Sequence, residues 1–181
     1  MLFDRMRAVL ESDRAKSLNT PPAPLRSMVH EVIVPAAPAE VWRMCATTEG
    51  VKRWMAPNAR VDLRIGGKVQ TNYDAKAELD GPGTITHHIL TFEPERLLAF
   101  RFDAPDIAPP AAQRGEGCWW MIELEPVNDG AATRVRCTMH GFGEGPEWDE
   151  TYRFFDAGNK WTIDQLAAQF DDIAAEAHGD D

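Results

Sequence analysis

A change of period along the chain constrains its fold more than any other feature. From about residue 59 to residue 141, apolar side chains recur at every second position. From about Trp148 onward they recur on one stripe of a helix. Period two is the mark of strands with one packed face, and a period near 3.6 marks an amphipathic helix. Before the alternating block, residues 28–34 read as a strand that Pro35 ends. Two short helices then follow, about 38–47 and 49–55, the first with Pro38 in its opening turn. The expected order is therefore one strand, two short helices, six strands and one long helix.

The six later strands are expected at 59–65, 68–75, 84–92, 97–103, 118–126 and 132–141. Gly66-Gly67, Gly81-Pro-Gly83, Glu93-Pro-Glu-Arg96 and Asn128-Asp-Gly130 separate them. Alternation throughout implies an antiparallel sheet with one packed face. In the last helix Tyr152, Phe155, Ile163, Leu166, Phe170 and Ile173 form the apolar stripe, while Phe154 and Trp161 fall on the other side. Gly158 interrupts the helix, so a kink or a close contact is expected there. Residues 104–116 read as a long Pro/Ala-rich loop on a rim. Residues 1–26 read as an appendage: an amphipathic helix over 2–18, followed by a Pro-rich linker. The domain proper is expected over 27–181.

Composition narrows function mostly by exclusion. The net charge of −10 lacks any Lys/Arg cluster, which argues against nucleic acid and against an anionic membrane surface. No apolar run approaches the roughly 18 residues of a membrane span, and the N-terminus does not read as a secretory signal, so a cytoplasmic protein is expected. Cys45, Cys118 and Cys137 are widely spaced among apolar residues and read as buried thiols. Neither a metal site nor a cofactor motif is expected. Glu147, Asp149 and Glu150 suit the start of a helix before they suit catalysis.

The order of elements resembles the START/SRPBCC superfamily, the birch-pollen-allergen fold. Within it, the chain is similar to the homologues of the heat-shock-chaperone ATPase activator, the AHSA-type domains. The resemblance rests on Val29–Trp42 with its Glu-Val-Trp ending, Thr48–Trp54, Asp62-Leu-Arg-Ile-Gly-Gly67, Gly83-Thr-Ile, Glu93-Pro-Glu-Arg-Leu97 with Phe102, and Gly158-Asn-Lys-Trp161 with Leu166. It covers about residues 28–174. It implies an α+β helix-grip fold, a curved antiparallel sheet wrapped around the C-terminal helix, with a cavity between them. It implies no shared catalytic set. Two residues inserted between Gly158 and Trp161 depart from the family pattern. The 26 residues before the domain are too few for the large N-terminal domain of the true co-chaperone activators.

On these faces Trp54, Tyr73, His87, Phe102, Trp120 and Met139 are expected to bound the cavity, and the family pattern adds Trp161. A plain hydrophobic core is the simpler reading of the same residues. His87 shares the inward face of Ile85 and Ile89, while His88 points the other way; His30 and His140 are expected in solvent. Trp119 and Met121 face outward and, with Phe154 and Trp161, suggest a patch covered by the N-terminal helix or by a second copy in a homodimer. Three functions stay open. The first is a binding protein for a small hydrophobic or aromatic molecule, without evident catalytic machinery. The second is a polyketide cyclase/dehydratase-like enzyme or hydrolase with His87 as acid/base. The third is a chaperone-interacting or stress-related adaptor working through an acidic outer sheet or the Trp119/Met121 patch.

Overall fold

The computed structural model describes residues 25–103, 108–113 and 118–177. The helix and linker expected within residues 1–24 lie outside the described residues. Seven strands form one antiparallel sheet: β1 (Arg26–Val34), β2 (Asn58–Val61), β3 (Lys68–Asn72), β4 (Ile85–Glu93), β5 (Leu97–Asp103), β6 (Trp119–Val127) and β7 (Ala132–Phe142). Their order is β1-β7-β6-β5-β4-β3-β2, so the first strand crosses over to pair with the last while the rest meander. Helices α1 (Pro38–Ala46) and α2 (Thr48–Trp54) fill that crossover. Helix α3 (Pro110–Gln113) is short, and α4 (Pro146–Ala177) runs across the sheet. The element order is the one the period change implies, and the architecture is the helix-grip fold that the resemblance implies.

Local chemistry sets the boundaries. Pro38 supplies a fixed φ at the start of α1, and Glu40 Oε2 accepts from the Ala37 amide. Thr47 Oγ1 accepts from the Gly50 amide at 3.0 Å and caps α2. Asn128 and Asp129 both take positive φ and join β6 to β7 in a tight connection, as the Asn-Asp-Gly run requires.

Two expectations need correction. Strand β2 stops at Val61 rather than running to residue 65. Residues 62–67 fold into turns, where the Gly66 amide donates to Ile89 O and Gly67 O accepts from the Ile89 amide. Those bonds continue the ladder onto β4 and leave Ile65 exposed. On β3, Gln70 and Asn72 have the parity opposite to Val69 and Thr71, which one packed face would leave in solvent, yet both are buried. The 73–84 connection covers them: Gln70 Nε2 donates to Leu79 O, and Asn72 Nδ2 donates to Pro82 O. A side chain facing away from the core is still buried when the following loop folds back over it and satisfies its polar atoms.

The core lies on the concave face. Met28 and Val34 of β1, Ile89, Leu98, Phe100, Ile122, Val135 and Cys137 of the sheet, and Val41 and Val51 of the two short helices meet Ile163 and Leu166 of α4. Helix α4 is held at both ends. At its start, Trp148 closes over Gly143, where an added Cβ would come within 2.5 Å of the indole nitrogen. Arg26 ties the same corner, donating through Nε to Gly143 O and through Nη1 to Asp149. Further along, Ile163, Leu166 and Phe170 are buried. The described part of the expected rim loop, residues 108–113, packs inward: Ala108, Ala111 and Ala112 are buried, and α3 contacts α4.

Candidate functional site

Between these two anchorages, sheet and helix part around a cavity of about 580 Å³. That volume lies within the range of small-molecule sites. Its floor comes from the sheet and from the end of α2. Val69 and Thr71 sit opposite His87 and Ile85 in the β3–β4 ladder, and Trp120 pairs with Met139 across β6 and β7. Thr71, His87, Trp120, Met139 and Met55 are all buried and border the cavity. Alternation along each strand aims the four sheet side chains at the concave face, and Met55 reaches it from the end of α2. The mouth is aromatic and open: Tyr73 is 59% exposed, Trp161 52% and Phe154 41%.

The floor is an aromatic cluster. The Phe100 ring meets His87 edge-on at 4.8 Å and Trp120 edge-on at 5.2 Å. Such pairs are worth about 0.5–1.5 kcal/mol beyond the area they bury. Burial lowers the pKa of His87 to about 4, against the opposing effects of a Val69 backbone hydrogen bond and the Asp103 charge. The imidazole is thus neutral at neutral pH. The Trp120 Nε1–H is also buried and has no hydrogen-bond partner. Asn159 on α4 borders the cavity and donates through Nδ2 to Met139 Sδ at 3.3 Å and Met28 Sδ at 3.7 Å. Among the described residues, no Asp, Glu, Lys or Arg side chain lines this space.

Four of the expected cavity residues, Tyr73, His87, Trp120 and Met139, come together here, and Trp161 joins them. Trp54 does not. Its indole donates to Met44 O at 2.9 Å inside the α1–α2 packing, which fixes the ring in the core, and its neighbour Met55 takes the cavity position instead. The side chain of Phe102 lies outside the described residues; its backbone pairs with His87. Phe154 was expected to belong to an outer patch, and Trp161 was placed there by its helix face and in the cavity by the family pattern; both border the cavity. At 100° per residue, the cavity flank of α4 lies about a quarter turn from the packing stripe. The stripe alone therefore does not reveal it. Helix α4 runs unbroken through Gly158, which borders the cavity and has no atom within 4 Å of a Cβ built on it. Ala157 and Asn159 were not foreseen as lining residues.

Several outward side chains find partners within the chain. The Trp119 ring stacks on His140 at 4.2 Å, and the Ser27 hydroxyl lies 2.8 Å from His140 Nδ1. His30 faces α4, 3.3 Å from an Asp156 carboxylate oxygen, and is mostly buried rather than solvated. His88, on the outer face, contacts Asp103 at 2.8 Å. The outer sheet is not uniformly acidic, because Arg134 pairs with both Glu125 and Glu31. Burial pushes the Cys45 thiol up to about 12 and Cys118 up to about 11, and it raises Cys137 well above the ordinary thiol value. None of the three supplies a thiolate near neutrality. Among the described residues no group of three His, Cys, Asp or Glu side chains could hold a metal ion, and no helix is long and apolar enough to cross a membrane.

A curved sheet gripping a helix over an aromatic cavity defines a START-like protein. The family model described as "Activator of Hsp90 ATPase homolog 1-like protein" matches residues 35–171, and the chain belongs to that family. No curated protein matches it. Among solved structures it is similar to protein MLL2253 from Mesorhizobium loti, at 19% identity and a TM-score of 0.63, covering 81% of this chain and 97% of that one. It is also similar to the Aha1 dimer from Colwellia psychrerythraea, at 15% identity and a TM-score of 0.62, covering 80% and 96%. A third is DynU16, described as a putative protein in the dynemicin biosynthetic locus. It shares 20% identity with a TM-score of 0.60 over 78% of this chain and 46% of that one. At these identities the likeness is one of fold.

Proposed function

We propose that this protein binds a small hydrophobic molecule in the cavity between the sheet and α4. The observation that carries this reading is the contrast between floor and mouth. Buried Thr71, His87, Trp120 and Met139 lie beneath exposed Tyr73, Phe154 and Trp161. Large aromatic side chains left half in water around an apolar hollow are stabilised when a ligand covers them. Nothing ionic opposes an apolar guest, because the one titratable group on the floor, His87, is neutral at neutral pH. Native mass spectrometry of freshly purified protein, before and after organic extraction, tests the reading. The expected result is a discrete extra mass that extraction removes, together with a shift in tryptophan emission as the ligand leaves. If libraries of lipids and aromatic compounds shift neither emission nor melting temperature, the reading is wrong. The same spectrum counts subunits and so tests the homodimer.

A second reading treats the same cavity as the active site of a cyclase, dehydratase or hydrolase. It draws on the place of His87 in the floor and on the DynU16 likeness. An imidazole with a pKa of about 4 is a weak general base at neutral pH, which favours binding over turnover. A His87→Gln variant that turns over a candidate substrate as fast as the wild type removes this reading. An adaptor role towards an ATPase chaperone draws only on the family membership. Purified chaperone ATPase that is unchanged by added protein counts against it.

A further inference from the structure

Strand β1 closes one side of the sheet, and its outer edge is unpaired. It stands first in the strand order and bonds to β7 alone. Among the described residues, the one other backbone hydrogen bond it makes is the turn from the Ala36 amide to Val34 O. A free edge is a template for further pairing, and natural sheets blunt theirs with proline, lysine or brevity. The nine residues of β1 use none of these. Alternation turns Ser27, Val29, Glu31 and Ile33 to the convex face, and Leu25 precedes them with the same parity. Leu25 is 63% exposed, Val29 42% and Ile33 60%. The outward series Leu-Ser-Val-Glu-Ile therefore alternates apolar and polar, symmetrically about Val29.

We propose that this edge pairs with the β1 edge of a second copy, antiparallel about a two-fold axis at Val29, and so joins two seven-stranded sheets into one. The interface is isologous, since each copy offers the same strand. This register sets Val29 against Val29 at the centre, Leu25 against Ile33 at both ends, and the Ser27 hydroxyl against the Glu31 carboxylate between them. It also continues the rows that cross each sheet. Met121, Thr138 and Val29 lie side by side in one row, so the central row runs unbroken through the join. In the next row His140 and Ser27 of one copy meet Glu31 and Arg136 of the other. Other registers lose this match. An axis at Met28 or His30 sets polar against apolar side chains, and an axis at Glu31 opposes two carboxylates, which destabilises a strand pair. One pair of strands buries less than a standard interface of about 1,600 Å², so a Kd in the micromolar range is expected.

Sedimentation of the full chain, from micromolar to near-millimolar concentration, is expected to show a reversible monomer–dimer equilibrium. Val29→Lys opposes two ammonium groups at the axis and should weaken association by about tenfold or more, with the melting temperature of the monomer unchanged. A second variant tests the register directly. Opposed residues of antiparallel strands have Cα atoms about 4.5 or 5.5 Å apart, within reach of a disulfide. Under mild oxidation Val29→Cys should therefore give a covalent dimer. Ile33→Cys should give one only when mixed with Leu25→Cys. A chain that stays monomeric over the whole range overturns the proposal, whether its edge is then found bare or covered by an extended peptide or by another segment of the chain. A dimer that Val29→Lys leaves intact, or that crosslinks as readily through Ile33→Cys alone, uses a different surface and overturns it too. None of these results bears on the cavity, which opens on the other face of the sheet.

Discussion

Helix α4 does opposite things in two adjacent stretches. From Ile163 to Phe170 it is a packing element, with Ile163, Leu166 and Phe170 buried against the sheet. From Phe154 to Thr162 it is the roof of a hollow, with two exposed aromatic rings, an alanine, and a glycine whose Cβ position faces open space. Stability and binding are thus assigned to successive turns of one helix. A side chain's effect should depend on which stretch it occupies, even where its chemistry is the same.

The largest effect is expected in the packed stretch. Leu166→Ala should lower unfolding free energy by about 2–5 kcal/mol, read from denaturant melts, because a rigid core does not collapse fully around the lost volume. A loss below 1 kcal/mol would erase the distinction between the stretches. Next comes the floor beneath the hollow. His87 titrates near 4 in the folded chain and near the ordinary 6.5 when unfolded. The unfolded state therefore binds the extra proton first. The His87 contribution is fully present above pH 6.5, is lost progressively as the pH falls from 6.5 to 4, and stays lost below. Through this window the wild type should lose about 3 kcal/mol more than His87→Gln, as read by stability curves of the two proteins.

Smaller changes are expected in the roof. Gly158→Ala should stabilise the protein by about 1 kcal/mol, since the helix gains a better former and the Cβ meets open space. Gly158→Leu should keep most of that gain while its side chain fills the hollow and weakens any bound aromatic. Destabilisation by Gly158→Ala would mean the roof is packed like its neighbour. Trp161→Ala should leave stability within about 0.5 kcal/mol of wild type and cost about tenfold or more in ligand affinity, measured by titration calorimetry.

The sheet was legible because its signal is local. Alternation and turn residues specify a strand without reference to anything distant, and the resemblance read from ordered motifs agrees with the family to which the chain belongs. What the sequence obscured depends on surfaces that meet late. Gln70 and Asn72 carry the pattern of solvated residues and become buried only because a loop ten residues on returns over them. Phe154 was misplaced, and Trp161 was set in the cavity only by the family pattern, because a helical wheel has a single apolar direction, whereas this helix faces both a core and a hollow. Trp54 was misassigned because an inward tryptophan suits either. The Met44 carbonyl that takes its proton decides the matter, and no periodicity shows that contact. His87 was legible through its neighbours, since Ile85 and Ile89 fix the parity of its strand.

The two anchorages of α4 have a mechanical consequence. The Trp148–Gly143 closure with Arg26 at one end, and the Leu166 and Phe170 contacts at the other, make the intervening turns a beam on two supports. A beam held in this way does not swing to fit its load. The clearance beneath it is set before any guest arrives, so the protein should act as a gauge. It should accept molecules up to the span's height and discriminate against larger ones by bulk rather than by closing around them.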